Sequence, residues 1–401
     1  MQNNNNMFGY YPFGFPANNL APIILQQNNF LQRRNSNNSL NLKLGYNLLN
    51  QKNILNNNDN NQKKTELKEE NPNYFLKDQL YCRQIQAKLE ANVNNENYSY
   101  EFYENIKKQL IEIIEHQFGN YVIQKFLSNL LIQENKKLFT QIFVDIKEKL
   151  FDICVHNYGT RVIQKTLEKL DNGNYVKIET DTLNEIIQNL IENHLYELCC
   201  DKNGNHVYQK LLRVFPKEKN NFLYDNLIKI SYPVSIIQQG ATLLQTTFDY
   251  SNKEQQDKLS LSIVENIDKL INDKYGNYTL QTLIKLNNKT ITDKIYDFIQ
   301  KNLLQLSKEK FSSNVIDKCI VKDNINSNNL IKTMIESNII KDIIADQYGN
   351  YVVQKALTIS DKEVCEKIIK QIKPILNDLQ KTNIGKKIYE KLFTNYGKYL
   401  L

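Results

Sequence analysis

The sequence predicts an all-α protein: a curved α-solenoid of eight helical repeats of about 36 residues, with degenerate caps and a disordered, asparagine-rich tail in front. Apolar residues recur at helical spacing between residues 71 and 401, as in Ile106, Leu110, Ile113 and Ile114. Alternating β-branched runs bounded by turn residues, which would predict strands, are missing there. One short phrase returns along the same region at a nearly constant interval, which is typical of stacked repeats.

Residues 1–70 have the composition of a disordered, low-complexity tail. Nineteen of the first sixty residues are asparagine, and four of the seven prolines lie at or before Pro72. Such a polar segment cannot bury enough apolar surface to offset the entropy lost on ordering. The composition fits either a functional, condensate-prone tail or compositional drift. We therefore place the folded domain at residues 71–401.

Charge and composition exclude several classes of protein. The chain of 401 residues has a net charge of +7. The tail has seven basic and four acidic residues and therefore carries +3 of this charge. The remaining +4 lies on the folded part, which is only mildly basic. Bulk charge is therefore weak evidence for a nucleic-acid partner. No apolar run approaches the roughly 18 residues of a membrane span, and the first residues do not resemble a signal peptide. Six cysteines without a CxxC pair indicate reduced thiols in a cytosolic or nuclear protein, and we expect a cytoplasmic one.

The returning phrase defines the repeats and their register. It reads HQFGNYVIQKF from residue 116 and DQYGNYVVQKA from residue 346, with six further copies. We call the residue after the glycine position one; it falls at residues 82, 120, 160, 205, 241, 277, 313 and 350. The intervals are 38, 40, 45, 36, 36, 36 and 37 residues, and the extra residues are predicted to form edge loops at 94–98 and 171–175. Six of the twelve glycines directly precede position one, which indicates a helix start that a Cβ atom would crowd.

The five positions of the phrase differ in character. Positions three and four are apolar in most repeats, whereas positions one, two and five are mostly polar or planar. Positions one and five lie one helical turn apart, so we expect them to share a solvent-exposed face while positions three and four point into the core. Each repeat would then present a polar pair flanked by a flat side chain. A row of such groups on one concave surface is suited to contact successive unpaired bases.

The phrases NYVIQK, TRVIQK, NHVYQK, SNVIDK and NYVVQK resemble those of the Pumilio, or PUF, family of RNA-binding proteins. The similarity extends over about 330 residues and all eight repeats. The resemblance implies that the chain runs antiparallel to a single-stranded RNA, so that the last repeat contacts the first base. It also implies binding to mRNA 3′ untranslated regions, with repression of translation or faster decay through recruited deadenylase or translational repressor proteins.

Four repeats are predicted to bind uracil. They carry amides at positions one and five, and an amide both donates and accepts hydrogen bonds, as the uracil edge requires. The pairs are Asn120 with Gln124, Asn205 with Gln209, Asn277 with Gln281, and Asn350 with Gln354. The side chains at position two, which would stack on the base, are Tyr121, His206, Tyr278 and Tyr351.

The remaining repeats are predicted to bind purines or to be poorly selective. Adenine suits one glutamine opposite a small partner with a guanidinium plane to stack. The two sets of that kind are Cys82, Arg83 and Gln86, and Thr160, Arg161 and Gln164. Guanine offers two donors and therefore requires a carboxylate, which only the set of Ser313, Asn314 and Asp317 supplies. Together the repeats predict the site 5′-UGUNUAUA-3′.

Three departures from the family pattern affect the expected contacts. In the fifth repeat Ala241 and Thr242 stand where relatives have Cys and Arg, so only Gln245 is left to contact the fourth base. Asp317 is one methylene shorter than the glutamate that the family usually has. Tyr81 replaces glycine in the first repeat, and a helix before it is hard to find, so we expect an irregular N-terminal cap.

The C-terminal segment, about residues 375–401, resembles a ninth, degenerate unit that caps the array. Its phrase IGKKIYEKL surrounds Gly385, and Lys386, Lys387 and Glu390 match no base-binding set. The lysines that follow position five contact phosphates or are ordinary solvated residues; they are Lys125, Lys165, Lys210, Lys318 and Lys355.

Other functions fit the residues less well. The P-loop, zinc-protease, dinucleotide and nucleophile-elbow motifs are absent, so we expect no enzyme, no cofactor and no metal site. In a protein-binding α-solenoid we would expect the residue types at positions one, two and five to vary freely from repeat to repeat, and they do not. A ribosome-biogenesis relative of the family would have more repeats and degenerate base-binding sets. Both remain alternatives to an RNA-binding monomer without membrane contact.

Overall fold

The computed structural model describes residues 78–171, 173–321 and 324–400. The chain divides into two units, Met1–Lys68 and Glu69–Leu401, and all described residues belong to the second. The predicted disordered tail, residues 1–70, lies outside the described residues. Among those residues the regular secondary structure is helical, without a strand, as the apolar periodicity predicts.

Each repeat phrase lies on one helix, which we call the signature helix. Successive signature helices pack against each other along the chain, as stacked repeats require. The signature helices are Gln79–Ala91, Gly119–Ile132, Gly159–Leu170, Gly204–Val214, Gln238–Tyr250, Gly276–Leu286, Ser312–Cys319 and Gly349–Ile359.

A second helix follows each signature helix, and from the second repeat onward these helices pack against one another in turn. The second helices are Glu96–Ile106, Lys136–Ile146, Asp181–Cys200, Asn221–Lys229, Lys253–Val264, Lys289–Lys301, Ile325–Glu336 and Lys362–Ile372. Signature and second helices therefore form two layers, with the apolar core between them.

Short helices lead from each second helix to the next signature helix. They are Leu110–Ile114, Leu150–Val155, Ser231–Ser235, Ile267–Leu270, Leu303–Ser307, Ile340–Ile344 and Leu376–Leu379. In the third repeat the second and short helices are continuous in Asp181–Cys200, which has 20 residues. Three are preceded by 3-10 turns, Lys107–Gln109, Lys147–Lys149 and Lys373–Ile375, and the last leads to the C-terminal helix Asn383–Leu400.

The longer repeat intervals hold more helix than the sequence predicts. We expected edge loops at 94–98 and 171–175, but helices begin at Glu96 and at Tyr175. Tyr175 is 1% exposed, and its ring centroid lies 4.8 Å from that of Phe215. Burial of this large aromatic side chain stabilises a helical turn, Tyr175–Ile178, where the sequence indicated a surface loop.

The core consists largely of the positions that the repeat phrase predicts. Val122 and Ile123, at positions three and four of the second repeat, are fully buried, and their counterparts Val352 and Val353 are no more than 1% exposed. The six cysteines are free thiols. Within the described ranges, no helix has the length and apolarity of a membrane span, and no group of three metal-binding side chains occurs.

The residue before position one brings the signature helix against the short helix that precedes it. A Cβ atom on Gly349 would lie 2.5 Å from the carbonyl oxygen of Ile343, six residues earlier, which confirms the predicted crowding. In the seventh repeat this residue is Ser312, and its hydroxyl donates a hydrogen bond of 2.6 Å to the carbonyl oxygen of Leu306, again six residues earlier. The serine therefore converts the close approach into a buried hydrogen bond.

Candidate nucleic-acid interface

The side chain at position two is exposed in every repeat. Tyr121, Tyr278 and Tyr351 are 42%, 36% and 41% exposed, although the residues that follow them at positions three and four are buried. Partial burial, and secondarily Lys210, lowers the pKa of His206, which favours the neutral ring. All eight position-two residues are exposed: Arg83, Tyr121, Arg161, His206, Thr242, Tyr278, Asn314 and Tyr351. A row of accessible flat side chains is suited to stack on bases.

Position one is buried, which contradicts the expectation that positions one and five are exposed together. Position five is partly exposed in seven repeats and exposed at Gln245. The exposed fraction at position one is 0% for Asn120 and at most 7%, at Ser313. The other buried position-one residues are Cys82, Thr160, Asn205, Ala241, Asn277 and Asn350. The reason is its place at the start of the helix, where its side chain is turned back toward the preceding backbone.

The position-one asparagines close the start of their helices and hold the glutamine at position five. In the second repeat Asn120 Nδ2 donates to the carbonyl oxygens of His116 and Gln117, at 2.7 and 3.0 Å. Its Oδ1 accepts a hydrogen bond of 2.8 Å from Gln124 Nε2. The same glutamine-to-asparagine bond occurs at 2.7–3.0 Å in three more repeats, where the donors are Gln209, Gln281 and Gln354.

The residue four before position one caps the helix, and the sequence analysis did not identify this role. Asp346 Oδ1 accepts from the backbone N–H groups of Tyr348 and Gly349, at 2.8 and 2.9 Å. His116 Nδ1 accepts at 3.3 and 3.4 Å from the equivalent groups, which requires that nitrogen to be unprotonated. The other residues with this contact are His156, Asp201 and Asp273. In the sequence, the aspartate or histidine three residues before the glycine is the pattern that could have identified this helix cap.

The two repeats predicted to bind adenine hold their glutamine differently. Gln164 Nε2 donates to the hydroxyl of Thr160 at 2.9 Å, and Arg161 lies 5.9 Å from the ring centroid of Tyr158. Gln86 Nε2 instead donates to the backbone carbonyl of Cys82 at 3.2 Å. Burial, with a contribution from Asp78, raises the pKa of the Cys82 thiol to about 11, so this thiol is uncharged near neutral pH.

Comparison with known proteins places these repeats in a family. The family model described as a NOP9-like PUF repeat domain matches residues 53–387. The chain belongs to the Pumilio (PUF) family. A Pumilio domain-containing protein of Schizosaccharomyces pombe is 30% identical over 319 residues, which are 79% of this chain and 45% of that protein. Pumilio homolog 12 of Arabidopsis thaliana is 30% identical over 320 residues, 80% of this chain and 52% of that protein. The chain thus spans about half the length of the curated relatives it matches.

Solved PUF domains have the same fold. The Puf4 RNA-binding domain bound to a recognition sequence from the HO endonuclease 3′ untranslated region matches with a TM-score of 0.66 and 30% identity, covering 78% of this chain and 96% of that one. The RNA-binding domain of yeast Puf5p bound to SMX2 RNA matches with a TM-score of 0.64 and 27% identity, covering 82% of this chain and 96% of that one. These likenesses confirm the predicted all-α solenoid.

The fifth PUF repeat lacks both the capping side chain and the glutamine contact. Ile237 occupies the capping position, and Ala241 at position one offers no hydrogen bond. Thr242 Oγ1 donates to the carbonyl oxygen of Gln238 at 3.1 Å. Gln245 is exposed and makes no hydrogen bond with the described residues. Its amide is therefore free to rotate.

The seventh PUF repeat holds a half-buried carboxylate. Burial raises the pKa of Asp317, while the positive charges of Lys355 and Lys318 act in the opposite direction. Ser313 Oγ and Asn314 Nδ2 both donate to the carbonyl oxygen of Lys310, at 3.4 and 3.1 Å, and neither donates to Asp317. A desolvated carboxylate that receives no hydrogen bond from the described residues is prepared to accept hydrogen bonds from a ligand.

The lysines after position five divide into two groups. Lys125 lies 3.3 Å from Glu90, while Lys165 and Lys210 share Glu168, at 2.8 and 2.9 Å. Lys318 and Lys355 form no ion pair within the described ranges, and they are the pair beside Asp317. Among these five lysines, the two without an ion pair to a described residue therefore lie at the C-terminal end of the PUF array.

Proposed function

We propose that this PUF protein binds single-stranded RNA in a sequence-specific manner, one base per repeat, at 5′-UGUNUAUA-3′ in mRNA 3′ untranslated regions. One observation carries the proposal: an exposed planar side chain beside an amide or carboxylate at position five recurs in seven of the eight repeats. A stacking plane with one directional hydrogen-bonding group is what recognition of an unpaired base requires. The RNA-bound structures of Puf4 and Puf5p support this interpretation.

The repeats differ in the edge that they offer to a base. The eighth, sixth, fourth and second repeats each offer a glutamine amide held by asparagine, and they would bind the uracils of the site. The seventh offers a carboxylate to guanine, because guanine alone has two adjacent donors on its pairing edge. In the eighth repeat Gln354 Oε1 is buried and accepts no hydrogen bond from the described residues, so the side chain would have to shift before an N–H group of uracil could reach this oxygen.

The cellular role follows from the family and remains a proposal. A cytoplasmic, monomeric protein of this kind would repress translation of its target mRNAs or hasten their decay by recruiting deadenylase or translational repressor proteins. We further propose a binding protein and not an enzyme, because most of the repeated polar groups are amides, which do not ionise near neutral pH and cannot serve as general acids or bases.

The test is selection of RNAs from a random pool by the full chain. We expect enrichment of UGU followed by a variable base and UAUA. The variant Gln354→Ala should lose selectivity at the first base only, whereas Thr358→Ala, on the exposed side of the same helix, should select the original site. A pool without enrichment, or the same loss in both variants, would contradict sequence-specific binding.

A ribosome-biogenesis role is the second candidate, and the NOP9-like description of the matching family model favours it. The eight repeats with mostly complete base-binding sets favour the mRNA role. Crosslinking of the full chain to RNA in cells separates the two, because the first role predicts mRNA 3′ untranslated regions and the second predicts precursor ribosomal RNA. A chain that crosslinks to neither RNA and co-purifies with a protein would instead indicate the scaffold alternative.

A further inference from the structure

Two kinds of side chain cap the signature helices, and they differ in their response to acid. In the second and third repeats the cap is a histidine, His116 or His156, whose Nδ1 accepts from two backbone N–H groups at 3.2–3.4 Å. In the fourth, sixth and eighth repeats it is an aspartate, whose Oδ1 accepts from the equivalent groups at 2.7–2.9 Å. Among the described residues, the histidine caps are therefore confined to two neighbouring repeats.

Protonation removes a histidine cap. An imidazole accepts a hydrogen bond at Nδ1 only while that nitrogen carries no proton, and both nitrogens of the charged ring are donors. A protonated His156 would direct an N–H group at the N–H groups of Tyr158 and Gly159. It would also place a positive charge at the start of a helix, where the helix dipole disfavours it. An aspartate keeps its acceptor oxygens, because it binds a proton only in far more acidic solutions than an imidazole requires.

Both rings are accessible to solvent, and neither has a counter-charge bound to it. His116 and His156 are partly exposed. The elements around the turn of His116 carry Arg83, Glu112, Glu115 and Lys149. Those around the turn of His156 carry Asp152, Arg161, Asp201 and Lys202. Within the described ranges none of these side chains forms an ion pair or a hydrogen bond with either imidazole; Asp152, for example, is bound to Lys149 at 3.0 Å. A proton on either ring therefore gains no ion pair that would offset the lost cap.

The backbone of each histidine is connected to the side chains that are proposed to contact RNA. Asn120 Nδ2 donates to the carbonyl oxygen of His116 at 2.7 Å, and Asn120 Oδ1 accepts from Gln124 Nε2 at 2.8 Å. In the third repeat the backbone N–H of Thr160 donates to the carbonyl oxygen of His156 at 3.0 Å. A change in the turn therefore reaches the side chains of the same repeat.

We propose that His116 and His156 form a pH-sensitive switch, which releases the starts of the second and third signature helices in mildly acidic solution while the aspartate-capped repeats keep their caps. Acid then weakens selection at the seventh and sixth bases, which these two repeats contact, and spares the third base, which the sixth repeat contacts. The part of this inference that concerns RNA rests on the proposed function, and the part that concerns the helix starts does not.

The first test is hydrogen exchange on the full chain at about pH 7.5 and about pH 5.5, on either side of the pH at which a free imidazole is protonated. Protection is corrected for the intrinsic effect of pH on exchange. In wild type, the amides of Gly119 and Gly159 should lose about fivefold in protection on acidification, the scale of losing one cap. The amide of Gly349, which Asp346 caps, should keep its protection.

Exchanging the two kinds of cap supplies matched variants. The double variant His116→Asp with His156→Asp should remove the acid-dependent loss from the second and third repeats, whereas Asp346→His should introduce it in the eighth. His194 stacks on Phe151 and caps no signature helix, so His194→Gln should behave like wild type. Equal losses at Gly119 and Gly349 in wild type, or a loss that persists in the double variant, would overturn the proposal. If the double variant fails to fold, wild type and Asp346→His decide the question.

The second test measures selection by the same proteins with octamers that carry U or C at the seventh or the third base. The U-to-C preference of wild type at the seventh base should fall about two- to fivefold on acidification, because the coupling cannot exceed the cost of the cap that carries it. The preference at the third base should not change. Every octamer keeps G at the second base, so the titration of Asp317 cancels from each ratio.

The two tests fail separately. An unchanged preference at the seventh base, or equal losses at both bases, would overturn the connection between the caps and RNA. If wild type selects no base at either pH, the proposed function fails, and the exchange measurements still decide whether acid releases the histidine caps.

Discussion

Replacing Asp317 by asparagine tests the contact that the seventh repeat is proposed to make with guanine. The two side chains have the same size, but asparagine exchanges one acceptor oxygen for an NH2 group that would face a guanine donor. Asp317 is half-buried and has no donor from Ser313 or Asn314, so a base would supply its hydrogen bonds. Loss of one charge-assisted hydrogen bond costs about 1–3 kcal/mol, which is a five- to 150-fold weaker Kd.

The raised pKa of Asp317 adds a pH dependence that the asparagine variant should lack. Burial raises this pKa in the free protein, against the positive charges of Lys355 and Lys318. Guanine needs the carboxylate, so binding releases the proton, and affinity should fall as the pH is lowered toward the raised pKa. The effect of pH on folding has the opposite sign. Because the pKa of this carboxyl is higher in the folded protein than in the unfolded chain, it favours the folded state at low pH. That contribution to stability is lost as the pH rises through the folded-state pKa.

Fluorescence anisotropy with the full chain measures both effects. The octamers carry G or A at the second base, and the titrations run from neutral to mildly acidic pH. Wild type should prefer G, and that preference should weaken as the pH falls toward the raised pKa of Asp317, whereas Asp317→Asn should show a small preference that is independent of pH. An asparagine variant that still selects G as strongly as wild type would refute the assignment of this repeat to guanine.

Three further predictions concern single repeats. Tyr351→Ala should weaken binding to the octamer by about 1–3 kcal/mol, the scale of one base stack, in the same anisotropy assay; an unchanged Kd would contradict stacking. Because Gln245 is free to rotate, the four nucleotides at the fourth base should differ by less than about 1 kcal/mol, and a strict fourth base would show that repeats and bases are wrongly paired. Gly349→Ala and Ser312→Ala should each lower the free energy of unfolding by about 1–3 kcal/mol, the first by crowding Ile343 and the second by removing the buried hydrogen bond from the Ser312 hydroxyl to the carbonyl of Leu306; chemical denaturation that shows no loss would contradict these roles.

The features that the sequence predicted correctly are those that depend on local pattern. Apolar periodicity identified the helices, and the phrase identified the buried positions three and four. The glycine before position one was correctly attributed to crowding by a Cβ atom, because its recurrence at one point of the repeat has no other simple cause. A single exposed tyrosine at position two would carry little information, but these tyrosines were recognised because they recur at the same offset.

The features that the sequence missed depend on contacts between neighbouring segments. Helical geometry places positions one and five on one face, but it does not show that the start of each signature helix is covered, which buries Asn120 completely. The capping role of Asp346 was missed because the residue lies outside the five positions that were compared. Tyr175 was assigned to a loop because its partner Phe215 lies 40 residues later in the chain.

The burial of position one changes which substitutions give clear information about specificity. Asn350 satisfies backbone carbonyls at the start of its helix, so its replacement alters stability and base selection together. Gln354 forms its side-chain hydrogen bond with Asn350 and lies on the partly exposed side, so its replacement disturbs the helix start less. Position-five variants therefore report on base contacts, whereas position-one variants need a folding control. The separation of packing from base selection also explains the fifth repeat. Ala241 at position one is still buried in the core, although this repeat has no side-chain pair that could select a base.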